Sequence, residues 1–126
     1  MFSHVMIGAN DVEKSKAFYD AILGTLGHKP GIIDPKGRCM YLAGDNIFML
    51  TLPIDGNTAT HANGGTIGFA AASTEDADAF YAAGLENGGT ICEDAPPGVR
   101  EGGGLQMYLT YLRDPAGNKV CAMHRL

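Results

Sequence analysis

The sequence predicts an α+β fold made from two copies of a βαβββ unit, and three observations carry that prediction. The segment AFYDAIL at 17–23 returns as AFYAAGL at 79–85. The same 62-residue spacing pairs Val5 with Ile67, Glu13 with Glu75, Leu23 with Leu85 and Gly27 with Gly89. In each half an alternating apolar stretch leads into a helical stripe and then into short apolar runs. Self-similarity of this kind marks one supersecondary unit used twice.

Each element has a local reason. Residues 2–9 alternate and predict a strand. Asp11 is a suitable cap for a helix over 12–26, with Ala17, Phe18, Ala21, Ile22 and Leu26 on one stripe. Short strands are predicted near 28–33, 38–43 and 46–52. Residues 53–64, rich in Pro, Gly, Asn and Thr, read as a linker between a first module, 1–52, and a second, 65–126. The second module repeats the order. A strand covers 65–72, Ser73 or Thr74 caps a helix over 75–87, and Ala79, Phe80, Ala83 and Leu85 form its stripe. Strands follow near 89–93, 105–113 and 118–125, with Arg113–Asn118 as a Pro- and Gly-containing hairpin turn. Late in the halves the spacing grows to 72, with Asn118 answering Asn46. The glycine-rich stretch 96–104 is the candidate insertion and reads as a loop.

Composition narrows the function. The 126 residues are 45% hydrophobic and 18% charged, as in a globular domain. A net charge of -5 and the lack of any Lys/Arg cluster argue against a nucleic-acid partner. No apolar run approaches the ~20 residues of a membrane span, and no leader is expected, so a cytoplasmic protein is predicted. Three separated cysteines, Cys39, Cys92 and Cys121, fit a reducing compartment better than a disulfide framework.

The opening His4-Val5-Met6-Ile7 strand, the Asp11–Tyr19 helix start and the closing Arg113-Asp114-Pro115-Ala116-Gly117-Asn118 turn occur in a characteristic order. In this the whole chain resembles the glyoxalase/bleomycin-resistance/extradiol-dioxygenase (vicinal oxygen chelate) superfamily. The resemblance implies two modules forming an incomplete barrel with a central cleft, a small-molecule ligand, and commonly a homodimer. In metal-dependent members a divalent cation in the cleft acts as a Lewis acid.

The family's ligand positions fall on His4, Met49, Thr66 and Cys121. Only His4 has the usual residue type, because a hard or borderline dication wants imidazole and carboxylate. No metal or other cofactor is therefore expected. His61, in the linker, is a further donor within reach of Thr66 along the chain. Strand alternation gives the cleft-lining candidates: His4, Met6, Met49, Thr51, Thr66, Gly68, Cys121 and Met123, with Tyr108 from a neighbouring strand. Methionines at such positions fill a core or line a plastic apolar pocket. His28 and His124 read as surface or edge residues. Arg100, in the glycine-rich stretch, is the candidate contact for an anionic group. Tyr41, Tyr111, Arg38, Arg113 and Gln106 are polar groups on or beside the third strands.

Gly102–Gly104 lacks the Lys-Ser/Thr of a phosphate-binding loop, and Gly-x-Ser-x-Gly and HExxH are absent. Glu93, Asp94 and Glu101 form an acidic group without a poised acid/base pair. Three functions remain. The first is a small-molecule binding protein without a complete metal site. The second is a metal-dependent lyase, isomerase or dioxygenase with an altered ligand set. The third is a structural or interaction module.

Overall fold

The computed structural model describes residues 1–93 and 96–126; Asp94 lies outside them. In the first module β1 (Val5–Gly8), α1 (Val12–Thr25), β2 (Ile32–Ile33), β3 (Cys39–Ala43) and β4 (Asn46–Thr51) follow in order. Strand order in the sheet is β1-β4-β3-β2, with β1 parallel to β4 and the other pairs antiparallel. The second module gives β5 (Ile67–Ala70), α2 (Thr74–Glu86), β6 (Thr90–Ile91), β7 (Gly98–Gly102), β8 (Leu105–Arg113) and β9 (Lys119–Arg125). Its sheet runs β5-β9-β8-β6, with β7 paired to β8. The protein is thus α+β, two helices with two mixed sheets, and the described strands close no barrel. The repeat survives in the register: Val5 faces Phe48 as Ile67 faces Val120.

The stretch 96–104 differs from its expected form. Residues 98–102 are a strand, and Gly103 and Gly104, at φ 56° and 78°, make the turn into β8. Positive φ at both central residues suits the twist of a two-residue hairpin. The insertion is therefore a hairpin arm that the first module lacks.

Asp11 caps α1, accepting from the Lys14 N–H at 3.1 Å; Ser73 caps α2, accepting from the Asp76 N–H at 3.0 Å. The buried stripes are rotated from the expected ones. In α1 they are Ser15, Phe18, Tyr19, Ile22 and Leu23, and Ala17 is exposed. In α2 they are Ala77, Phe80 and Gly84, with Leu85 exposed. The cause is helix-on-helix packing. α1 and α2 lie against each other as well as against their sheets, so each buries two flanks. A Cβ at Gly84 would sit 2.3 Å from Leu112 Cδ1 and 3.2 Å from both Ile22 Cγ2 and Phe18 Cε2. Gly84 is thus one point of close approach between the two modules.

Aromatic rings bridge the halves. Phe48 meets Tyr19 at 5.0 Å and, edge to face, Phe69 at 5.3 Å; Phe69 meets Phe80 at 6.1 Å. A polar latch joins them too. The Tyr19 hydroxyl donates to Asp114 Oδ2 at 2.7 Å. Asp114 also accepts from the Ala116 and Asn118 N–H groups and from Asn118 Nδ2, while Asn118 Nδ2 donates to the Gly8 carbonyl at 2.8 Å. The Asp-Pro-Ala-Gly-Asn turn is thereby tied to α1 and to the end of β1.

A second polar cluster holds α1 to β3. Asp20 accepts from Lys16 Nζ (2.6 Å), the Gly31 N–H (2.8 Å) and the Tyr41 hydroxyl (2.9 Å). Burial pushes its carboxyl up, but these three donors outweigh burial and hold it below the usual carboxylate range. A carboxyl with a lower pKa folded than unfolded stabilises above its unfolded pKa and loses that contribution as pH falls through the folded one. Stability should therefore decline below about pH 4, and less so in Asp20→Asn. Urea midpoints at pH 7 and pH 3 check this; equal declines in both proteins would remove Asp20 from the explanation.

Candidate functional site

Strand pairing places the candidate residues in rows. On the face of the first sheet turned away from the helices, Met6, Met49 and Met40 are neighbours across β1, β4 and β3, and Gly8 pairs with Thr51. On the matching face of the second sheet Gly68, Cys121 and Tyr111 form one row, and Ala70, Met123 and Leu109 another. His4 and Thr66 stand just ahead of β1 and β5, both exposed. Tyr108 points the other way. It packs on the core, and its hydroxyl donates to Asp78 of α2 at 2.6 Å.

A cavity of about 320 Å³ opens between the start of β1, the β3–β4 hairpin and β5. Of the nine cleft-lining candidates it takes His4 and Gly68. Met6, Met49, Thr51, Thr66, Cys121, Met123 and Tyr108 do not line it. Its floor comes instead from Leu23, Tyr41, Phe48 and Phe69, and its rim from Ser3, His4, His28 and Asn46. Alternation assigns Phe48 and Phe69 to the helix side of their sheets and gives no hint of a hollow there. The hollow arises where the two modules part, which depends on how they pack.

Arg100 lies on β7 and donates to the Pro96 carbonyl at 2.8 Å and the Val99 carbonyl at 3.2 Å; it is not among the cavity's residues. The acidic group separates. Glu93 pairs with the Arg113 guanidinium, which with the Glu93 N–H and the Cys92 thiol holds it down to about 2. Glu101 accepts from Gln106 Nε2 at 2.9 Å. His61 lies against Gly117 of the β8–β9 turn.

The four ligand positions do not fit a hard or borderline dication. Thr66 offers a hydroxyl and Met49 a thioether. Burial pushes the Cys121 thiol up to about 11, against a weaker pull from Lys119, whereas a metal needs the thiolate. His4 Nδ1 lies 2.9 Å from the Ser3 hydroxyl. Among the described residues no three His, Cys, Asp or Glu side chains come together as a metal-ligand group.

The family model for the glyoxalase/bleomycin resistance protein/dioxygenase superfamily matches residues 1–122. A glyoxalase/bleomycin resistance protein from Albidiferax ferrireducens T118 is 58% identical, with 99% of each chain covered and a TM-score of 0.94. A glyoxalase/bleomycin resistance protein/dioxygenase family enzyme from Burkholderia phytofirmans PsJN is 20% identical, with 98% of each chain covered and a TM-score of 0.72. A glyoxalase-related enzyme from Fulvimarina pelagi is 15% identical over 98% of this chain and 86% of its own, with a TM-score of 0.70. The last two likenesses concern the fold alone. No curated protein matches. Two βαβββ units in this order, the family match over nearly the whole length and the close structural relative make the chain a member of the glyoxalase/bleomycin resistance protein/dioxygenase superfamily.

Proposed function

We propose that this chain is a small-molecule-binding member of the superfamily that works without a divalent cation at the four ligand positions. The observation that carries the reading is the cavity of about 320 Å³ with an apolar floor and a polar rim that includes His4. Ligand sites are typically concave, mostly apolar and supplied with a few polar groups, at roughly 300–1,000 Å³. The residue types at His4, Met49, Thr66 and Cys121 support the second half of the proposal.

A cytoplasmic homodimer completes it. No helix among the described residues is long and apolar enough to cross a membrane. The helix-free face of the first sheet exposes Ile32, Leu42 and Met6 together, the kind of apolar patch that marks a contact surface. Light scattering should return twice the chain mass.

The deciding experiment is elemental analysis after incubation with Zn, Ni, Mn and Fe, alongside a thermal-shift screen. A ligand that binds only the folded state raises stability by RT ln(1 + [L]/Kd). The expected result is substoichiometric metal in every case and stabilisation by organic ligands. One metal per chain, lost in His4→Ala, would overturn the metal-free reading in favour of a metal-dependent lyase, isomerase or dioxygenase.

A further inference from the structure

The cavity's floor and rim differ in chemistry. Leu23, Tyr41 and Phe48, only 2%, 5% and 9% exposed, form the floor with Phe69. The polar atom of that floor, the Tyr41 hydroxyl, is already engaged with Asp20 and the Lys16 carbonyl. Burial, with Cys39 and Asp20 beside it, raises its pKa far above the usual phenol value, so it stays neutral. The rim residues Ser3, His4, His28 and Asn46 are all exposed. His4 is held through Nδ1 by Ser3, and among the described residues nothing bonds its Nε2. Among the described residues no Lys, Arg, Asp or Glu lines the cavity.

We infer that the occupant is a compact, uncharged molecule of one or two rings, with its apolar body on the aromatic floor and one hydrogen-bonding oxygen or nitrogen at the His4–Asn46 rim. This inference rests on the small-molecule-binding reading above and adds selection by charge. An ion drawn onto the floor gives up its hydration and meets no opposite charge among the described lining residues, which disfavours it. A neutral group with one polar end loses nothing comparable, because the rim supplies partners. The volume is at the low end for ligand sites, which sets the size limit.

The test uses the whole protein at pH 8 and probes of one shape and three charges: 2-naphthamide, 2-naphthoate and 2-naphthylmethylammonium. Calorimetry should show the amide binding at least tenfold tighter than either ion. Ala70, exposed and on the cavity lining, gives the site control. Ala70→Phe should weaken the amide at least tenfold with its melting temperature unchanged, and Ala43→Phe does the same task if that variant does not fold. An ion that binds as well as the amide, through the same variants, overturns charge selection and leaves the binding reading in place. Amide binding that ignores both variants overturns the site. Failure of all three probes, together with silence in the broader ligand screen, overturns the binding reading itself.

Discussion

Asp114→Ala is expected to lower the free energy of unfolding by about 3–5 kcal/mol, a large part of the roughly 5–15 kcal/mol available to a domain. Asp114 is 3% exposed and gathers four donors: the Tyr19 hydroxyl, two turn N–H groups and Asn118 Nδ2. Removing the carboxylate orphans the hydroxyl of Tyr19, which is fully buried, and frees the Asn118 side chain that holds the Gly8 carbonyl. Tyr19→Phe leaves the turn's own bonds intact and should cost about 1–2 kcal/mol. Because the two groups touch, their effects should not add, and the double mutant should fall short of the sum by more than about 0.5 kcal/mol. Urea unfolding of the four proteins settles it; an Asp114→Ala protein within 1 kcal/mol of the parent on that estimate would show that the latch carries little stability.

Gly84→Leu is expected to cost about 3 kcal/mol or more. The added Cβ alone would overlap Leu112, which has no exposed surface, and would crowd Ile22 and Phe18 of α1. The remaining side-chain atoms would force the helices apart. A second helical glycine supplies the contrast. A Cβ at Gly24 meets nothing within 4 Å, so Gly24→Ala should stabilise by about 0.5–1 kcal/mol through the backbone entropy of the unfolded chain. Thermal and urea melts of both variants check the pair of signs. A Gly84→Leu protein that melts with the parent would mean the helices do not meet there.

Much of the architecture was readable before any coordinates because the repeat fixes it. Val5 and Ile67 announce equivalent strands, and the later spacing of 72 predicts the equivalence of Met49 and Cys121 that the ladders display. Capping by Asp11 follows from a short acceptor ahead of an amphipathic run. What could not be read was how one unit lies on the other. The helical stripes came out rotated because Tyr19 and Gly84 answer to the opposite module, and periodicity within a single helix carries no such information. The same packing shapes the cavity. Alternation sorted Met6, Met49, Cys121 and Met123 onto the helix-free faces correctly as a matter of pleat. The cavity, however, opens at the seam, where His4 and Gly68 meet floor residues from the helix side. The stretch 96–104 misled for a local reason: four glycines at 98–104 mask a strand that is held by pairing with β8 rather than by its own propensity.

The contact between Tyr19 and Asp114 spans 95 residues, and this has a bearing on how the chain is made. At about 5–20 residues per second, a ribosome needs roughly 5–20 s to carry synthesis from one to the other. For the larger part of that interval the flank of α1 destined for α2, with Phe18 and Ile22 on it, has no cover because α2 has not yet been made. The first module therefore stays without its partner in the nascent polypeptide until the second is made, and the latch closes only once Asp114 has been added.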